Sequence, residues 1–189
     1  IDRTIKSTTE GQIAGMIVES VQGYGGIIAM PKSYMSGAAE RVRAAGGLYI
    51  ADEVQAGFGR TGDNMWGFEA DDVIPDIIVM AKGMGNGFPI GAVVTHKKIA
   101  APMAEKFMFH TYGANPTSCA AARAVLNVLH QDKIQKNAKE VGEVLYQKLL
   151  DLKDMHRSIG DVRGRGLMLA IEMVKDRKTK EPDPEVTAA

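Results

Sequence analysis

Four short runs of apolar and β-branched residues are the clearest hydrophobic pattern in this chain. They cover residues 13–18, 48–51, 77–80 and 92–95. Each run is bounded by glycine, proline or charge and lacks polar alternation, which is typical of strands buried on both faces of a sheet.

A helical pattern lies between the first two runs. Tyr34, Ala38 and Val42 recur at helical spacing, and Ser33 and Ser36 are candidate N-caps. A strand, a helix and a second strand in this order predict a βαβ unit. We therefore expect an α/β fold with a mainly parallel sheet.

The second half of the chain is predicted to begin with two helices. Residues 116–130 and 133–153 both carry apolar positions at helical spacing. Residues 161–172 then start a new apolar run for which the sequence offers no later partner strand. Residues 179–189, with two prolines, predict a loop.

An apolar run without a later partner strand predicts that this chain is an internal piece of a longer protein. We expect residues 1–130 to form the C-terminal part of a large domain and residues 131–154 to form a connecting helix. Residues 155–189 would begin a small domain that is incomplete in this chain. The chain alone is accordingly expected to be inactive.

Composition narrows the possible functions. The 189 residues include 23 lysines and arginines and 23 aspartates and glutamates, so no net charge favours binding to nucleic acid or an anionic membrane. The single cysteine, Cys119, is predicted to be a small packed thiol at the start of a helix. The four histidines are scattered and predict no metal site.

The strand at 48–51 runs directly into two acids and a glycine-rich loop. Ligands of parallel α/β sheets bind outside the carboxyl ends of the strands, where Asp52 is expected. Asp52 and Glu53 could equally form a solvated strand end or a helix cap. The later pair Asp71–Asp72 precedes Pro75 and is interpreted as a solvated turn.

The strand at 77–80 leads into Lys82, which is followed by Gly83, Gly85 and Gly87. Burial of a lysine at a strand end is costly unless its charge is paired or its amine has a chemical function. A desolvated amine can form an imine with an aldehyde. A phosphate loop is disfavoured because its lysine follows the glycines. Arg163 and Arg165 could bind an anion or lie exposed at a hairpin.

Three ordered motifs together resemble the class III (omega) aminotransferases, which are pyridoxal phosphate enzymes of fold type I. The motifs are YIADEVQAGFGRTG, PDIIVMAKGMGNGFPIGAVV and HTYGANP. The resemblance implies part of the large domain of that fold and the start of its α+β small domain. Within the family, VESVQGYGGIIAMPKSY and DVRGRGLMLAIEMV most resemble enzymes that transfer the amino group of alanine to glyoxylate.

The resemblance assigns roles to five residues around the cofactor pyridoxal 5'-phosphate. Lys82 would form the Schiff base and act as general base and acid, and Asp52 would face the pyridine nitrogen. Val54 would pack on the ring, Gln55 would bond its hydroxyl, and Thr111 would bind the cofactor phosphate of the neighbouring subunit.

Glu19 matches the family glutamate that gates substrates with and without an α-carboxylate, although Ser20 replaces the usual proline after it. The implied partners are an amino donor, a keto-acid acceptor and a second subunit in a homodimer with shared active sites. The family implies a mitochondrial location, with the cytoplasm as the alternative. A non-catalytic homologue, a decarboxylase and an aminomutase remain open alternatives.

Overall fold

The computed structural model describes residues 1–188. The strands are β1 (Gly15–Glu19), β2 (Val21–Gln22), β3 (Ile28–Ala29), β4 (Leu48–Asp52), β5 (Ile77–Met80), β6 (Ala92–Thr95), β7 (Ile159–Arg165), β8 (Met168–Asp176) and β9 (Glu181–Pro182). The α-helices are α1 (Asp2–Thr8), α2 (Tyr34–Ala44), α3 (Lys97–Ala100), α4 (Pro116–Gln131), α5 (Ile134–Met155) and α6 (Pro184–Ala188). Single 3₁₀ turns span Gly67–Asp71, Lys82–Met84 and Ala101–Glu105.

The largest sheet has the order β1-β4-β5-β6. β1 pairs with β4 and β4 with β5 in parallel, whereas β6 is antiparallel to β5. The mainly parallel sheet and the βαβ unit formed by β1, α2 and β4 are thus confirmed. α2 packs Met35, Ala38 and Ala39 against Tyr49 and other core residues of the sheet.

The prediction that all four strands are buried on both faces is wrong for the two outer strands. Ile17 of β1 and Val93 of β6 are 57% and 64% exposed. β1 and β6 are the edges of this sheet, so they receive less cover than β4, whose Tyr49 and Ala51 are buried. An apolar run therefore predicted the strand but not how far neighbouring elements bury it.

The start of α2 is capped by a distant carboxylate. Neither predicted cap is used at the helix start, because the Ser33 side chain makes no capping hydrogen bond. Instead, Asp71 accepts backbone N–H groups from Ser33, from Met35 at 2.7 Å and from Ser36 at 3.1 Å. Asp71 is buried, so its interpretation as a solvated turn residue is wrong. Only Asp72 is exposed.

A second sheet follows the helices, with the order β7-β8-β9 and antiparallel pairing throughout. The predicted lack of a later partner strand is therefore wrong, because β9 pairs with β8. The expected terminal loop also contains α6. Pro182 lies at the sheet edge and Pro184 in the first turn of a helix, two positions where a missing N–H is tolerated.

The two predicted long helices are present as α4 and α5. The buried positions of α5 are the small residues Ala138 and Gly142. A Cβ on Gly142 would overlap the backbone of Gly166, so this close approach requires glycine. Cys119 in α4 is exposed, which contradicts its prediction as a packed thiol, and Ser118 is the buried neighbour.

Candidate active site

The carboxyl edge of the large sheet brings three predicted residues to neighbouring positions. Glu19 and Asp52 are directly opposite each other at the ends of β1 and β4. Asp52 in turn lies opposite Val79 of β5, and Lys82 follows the end of β5 by two residues. Because these three strands are parallel, their carboxyl ends share one edge, where ligands bind in this class of sheet.

Asp52 is half-buried and makes one hydrogen bond within residues 1–188. Its Oδ1 accepts the backbone N–H of Val54 at 3.0 Å. This local turn fixes the carboxylate at the point where the chain leaves β4. The Oδ2 atom keeps its capacity to accept a charge-assisted hydrogen bond from a cationic donor.

The adjacent Glu53 has a structural role. Its side chain is fully buried, which contradicts the interpretation as a solvated strand end. Oε2 accepts the N–H of Gly67 at 2.8 Å, while Oε1 accepts from the Phe68 N–H at 3.0 Å and the Ser20 hydroxyl at 3.2 Å. Burial raises the pKa of Glu53 above its ordinary value, and these hydrogen bonds oppose the shift.

Lys82 is exposed, in contrast to the burial expected from its place after a strand. The residue begins the 3₁₀ turn Lys82–Met84 with a left-handed φ of 42°. A non-glycine residue in this region is strained by about 1–3 kcal/mol, a feature that concentrates at functional sites. The side chain lines a cleft of about 250 Å³ together with Val54 and Gln55.

Glu19 is held by the hairpin that follows β1, which β2 and β3 form by antiparallel pairing. Its Oε2 accepts the backbone N–H of Gly23 at 2.9 Å. Glu19, Gln22 and Asp52 line a second cleft of about 220 Å³. The predicted residues are therefore divided between two clefts. Glu19 and Asp52 line the Asp52 cleft, and Val54, Gln55 and Lys82 line the Lys82 cleft.

Gln55 packs directly against the same hairpin. A Cβ on Gly23 would overlap the end of the Gln55 side chain, so the two residues are in close contact and a larger residue at position 23 would displace Gln55. Gln55 thus connects the loop after β4 with the turn that holds Glu19.

Thr111 is not brought to either cleft. It lies in an exposed turn before α4, in a stretch where Phe107, Phe109 and Tyr112 are also strongly exposed. Asn115 begins α4 just after this turn, and its side chain accepts the Ser118 N–H at 2.9 Å as an N-cap.

Part of the second sheet reaches the Lys82 cleft, which the motifs in the sequence did not indicate. Leu167, Met168 and Leu169, at the turn between β7 and β8, line that cleft. Their separation from Lys82 along the chain hid this contact. The available signal was the glycine pair Gly164 and Gly166, which marks a tight turn before the apolar run.

Other features of the described residues do not suggest a different chemistry. An apolar cavity of about 460 Å³ lies beside α4 and α5 but contains none of the predicted site residues. Within residues 1–188, no three His, Cys, Asp or Glu side chains cluster as metal ligands. No helix in the same range is long and apolar enough to cross a membrane.

Comparison with known proteins decides the family. The family described as Aminotransferase class-III matches residues 2–189. The chain belongs to the class III aminotransferases. This membership agrees with the motif resemblance and with the α/β fold, because solved transaminases superpose on nearly the whole chain.

Two curated relatives illustrate the range of this family. The mitochondrial alanine–glyoxylate aminotransferase 2 homolog 2 of Arabidopsis thaliana is 56% identical over 178 residues, which are 94% of this chain and 37% of that protein. Ethanolamine-phosphate phospho-lyase homolog 1 of Caenorhabditis elegans is 44% identical over 180 residues, covering 94% of this chain and 38% of that protein. The chain thus spans between a third and two fifths of the length of these relatives.

Two solved structures of aminotransferases share the fold. An aminotransferase of Bacillus anthracis superposes with a TM-score of 0.91 at 36% identity, covering 99% of this chain and 43% of its own. An amine transaminase from an uncultivated Pseudomonas species, solved in its PLP-bound form, gives 0.86 at 39% identity, with coverage of 93% and 41%.

Proposed function

We propose that this chain forms the lysine-bearing part of a pyridoxal-phosphate-dependent transaminase. The enzyme would move an amino group from an amino acid or amine to a keto acid or aldehyde, with alanine and glyoxylate as the candidate pair. The observation that carries this proposal is the placement of Asp52 and Lys82 after neighbouring parallel strands at one sheet edge.

The residues present fit pyridoxal phosphate. Asp52 is half-buried, with one carboxylate oxygen available to accept a hydrogen bond from a protonated ring nitrogen, and Lys82 has an exposed amine at the next strand end. Val54 and Gln55 line the Lys82 cleft, where they could contact a ring and its hydroxyl. When bound, the cofactor would supply the electron-withdrawing ring that stabilises a carbanion.

Each side chain would then have a separate task. Asp52 would hold a proton on the pyridine nitrogen through a charge-assisted hydrogen bond, and the Val54 N–H would keep the carboxylate in place. Lys82 would hold the cofactor through Nζ and, when released, would move a proton from the substrate α-carbon. Its exposure in this chain leaves the amine accessible to an aldehyde.

Glu19 and Thr111 are proposed to act at the edges of the site. Glu19 would gate substrates by its negative charge in the Asp52 cleft. Thr111 would bind the cofactor phosphate of a partner subunit in a homodimer with shared sites. The exposed aromatic side chains beside Thr111 support a partner at this surface, because patches of this kind mark interaction sites.

The division of the chain and its location are also proposals. Residues 1–130 would belong to the large domain, 131–154 to a connecting helix and 155–189 to the start of the small domain. This division is supported by one sheet within residues 15–95, a second within residues 159–182, and α5 between them. A mitochondrial location is supported by the printed name of the Arabidopsis relative.

Reductive labelling tests the proposal. Borohydride treatment of the full-length protein with its cofactor should place a pyridoxyl group on the peptide that contains Lys82. Lys82→Arg should abolish the label, whereas Lys98→Arg, at another exposed lysine, should keep it. A label on a different lysine would contradict the role assigned to Lys82. No label in the presence of cofactor would favour a non-catalytic homologue.

A lyase is the second candidate function, favoured by the phospho-lyase name of the Caenorhabditis elegans relative. Phosphate release from phosphoethanolamine, without a keto-acid acceptor, would identify it. Conversion of an amino donor to its keto acid, coupled to amination of glyoxylate, would identify the transaminase.

A further inference from the structure

One contact joins the second sheet to the hairpin that holds Glu19. The Nε of Arg163, in β7, donates to the backbone carbonyl of Gly26 at 2.7 Å across 137 residues of sequence. Gly26 has a φ of +116°, and a Cβ at this position would lie 3.1 Å from the Arg163 Nη2. The guanidinium therefore fits closely against a turn that requires glycine.

The guanidinium is itself fixed by acids of its own sheet. Its Nη1 lies 3.4 Å from Asp161 Oδ2 and 3.6 Å from Glu172 Oε2. Lys153 approaches Asp161 at 3.4 Å, and Lys180 approaches Glu172 at 3.6 Å. Burial opposes ionisation of Asp161, but the hydrogen bonds from Lys153 and Arg163 outweigh it and lower its pKa.

Hydrogen bonds within the turn connect Gly26 to Glu19. Gly26 and Ile27 both donate backbone N–H groups to the Gly23 carbonyl, at 3.1 and 3.2 Å. The Gly23 N–H in turn donates to Glu19 Oε2 at 2.9 Å. A displacement of Gly26 would therefore move the donor that holds the Glu19 carboxylate in the Asp52 cleft.

We propose that Arg163 is a positioning residue that fixes the Gly23–Ile27 turn and thereby the Glu19 carboxylate in the Asp52 cleft. The inference rests on the proposed transaminase function. Without this anchor the Glu19 charge is no longer held in place, and its repulsion would act on a donor with a carboxylate but hardly on an amine without one.

The test compares two substrates in the full-length holoenzyme. Arg163→Met keeps the aliphatic stem but removes every donor. We expect KM to rise about tenfold for an amino acid donor, with less than a twofold change for an amine that lacks a carboxylate. Arg163→Lys should recover part of the difference, because a single ammonium group can reach the carbonyl or the acids but not both.

Arg177→Met is the matched control. The Arg177 Nη2 donates to the backbone carbonyls of Lys153 and His156, so it also holds the second sheet in place, but within residues 1–188 it makes no hydrogen bond to the hairpin. This variant should leave the ratio of the two KM values unchanged. An equal effect of both methionine variants would show general loosening and would overturn the inference.

Amide hydrogen exchange supplies a readout independent of turnover. Peptides within residues 19–29 should exchange faster in Arg163→Met than in wild type, while peptides of α5 should not. If Arg163→Met does not fold, Glu172→Gln removes one acid partner and should give a smaller change of the same direction in both measurements.

The outcomes separate this inference from the proposed function. A wild-type protein that lacks transamination would refute the function. A wild-type transaminase whose Arg163→Met variant keeps both the KM ratio and the hairpin exchange would refute the positioning role alone.

Discussion

Glu53 and Asp52 are adjacent acids in different surroundings, the first fully buried and the second half-buried, so one pair of substitutions tests their proposed roles separately. Glu53→Gln keeps the size of the side chain and removes its charge. An amide oxygen at the Oε1 position can still accept from Phe68 and Ser20. The amide nitrogen, however, then faces the N–H of Gly67, which loses its acceptor.

The magnitude follows from that lost acceptor. Leaving a buried backbone donor unsatisfied costs about 1–3 kcal/mol. Removal of a buried charge offsets part of this cost, because burial raises the pKa of Glu53. We therefore expect Glu53→Gln to lower the free energy of unfolding by about 1–2 kcal/mol at neutral pH.

The pH dependence has a definite sign. A carboxyl group whose pKa is higher in the folded state binds its proton more tightly in that state. Its contribution to wild-type stability therefore falls as the pH rises from the pKa of the unfolded state towards the pKa of the folded state. The glutamine does not titrate. The stability gap between wild type and Glu53→Gln should therefore be larger at acidic than at neutral pH.

Asp52→Asn is the matched control. Its carbonyl can still accept the Val54 N–H, so the free energy of unfolding should change by less than about 0.5 kcal/mol. Its transamination rate should fall on the order of 10²-fold, because the charge that would hold the ring proton is gone. Glu53→Gln should lose less than about threefold in rate, as no step uses it directly.

Denaturant unfolding and steady-state rates of the full-length variants measure both effects. If Glu53→Gln lost rate to the same extent as Asp52→Asn while keeping its stability, the assignment of the two acids would be reversed.

Two further predictions concern the buried core beneath the site. Asp71→Asn should lower the free energy of unfolding by about 1–2 kcal/mol, because one of the oxygens that cap α2 is lost, whereas Asp72→Asn at the exposed neighbour should change it by less than about 0.5 kcal/mol. Equal denaturant midpoints for the two variants would contradict the capping role. Burial first, and then the Asp71 charge, raises the pKa of Tyr49 to about 12. Wild-type stability should therefore fall as pH rises above about 10, and Tyr49→Phe should remove this loss in alkaline unfolding experiments.

The sequence by itself determined the local elements and the order of the chemical motifs. Apolar runs predicted the four strands of the main sheet because β-branched and aromatic residues fit a pleated, at least half-buried surface. Helical spacing gave α2, α4 and α5 for the same local reason. The placement of Asp52 and Lys82 after two successive strands followed from chain order and from the parallel topology that the βαβ pattern implies.

Burial was decided only by the tertiary structure. The adjacent acids Asp52 and Glu53 look alike in the sequence, yet only Glu53 is enclosed by the backbone of residues 67–68. Asp71 and Asp72 differ in the same way, since one of them meets the N-terminus of a helix almost forty residues earlier in the chain. Exposure of Lys82 and of the edge strands likewise depends on what packs beside them.

The series of hydrogen bonds from Arg163 to Glu19 depends on the tertiary structure most of all. Each of its hydrogen bonds is ordinary, but the first of them spans 137 residues and exists only once the β2–β3 hairpin and the second sheet have formed. Periodicity and spacing report interactions between residues close in sequence, because the local backbone fixes their relative positions. Contacts between distant segments depend on how the elements pack, and they alone determine which acid is structural and which is available for chemistry.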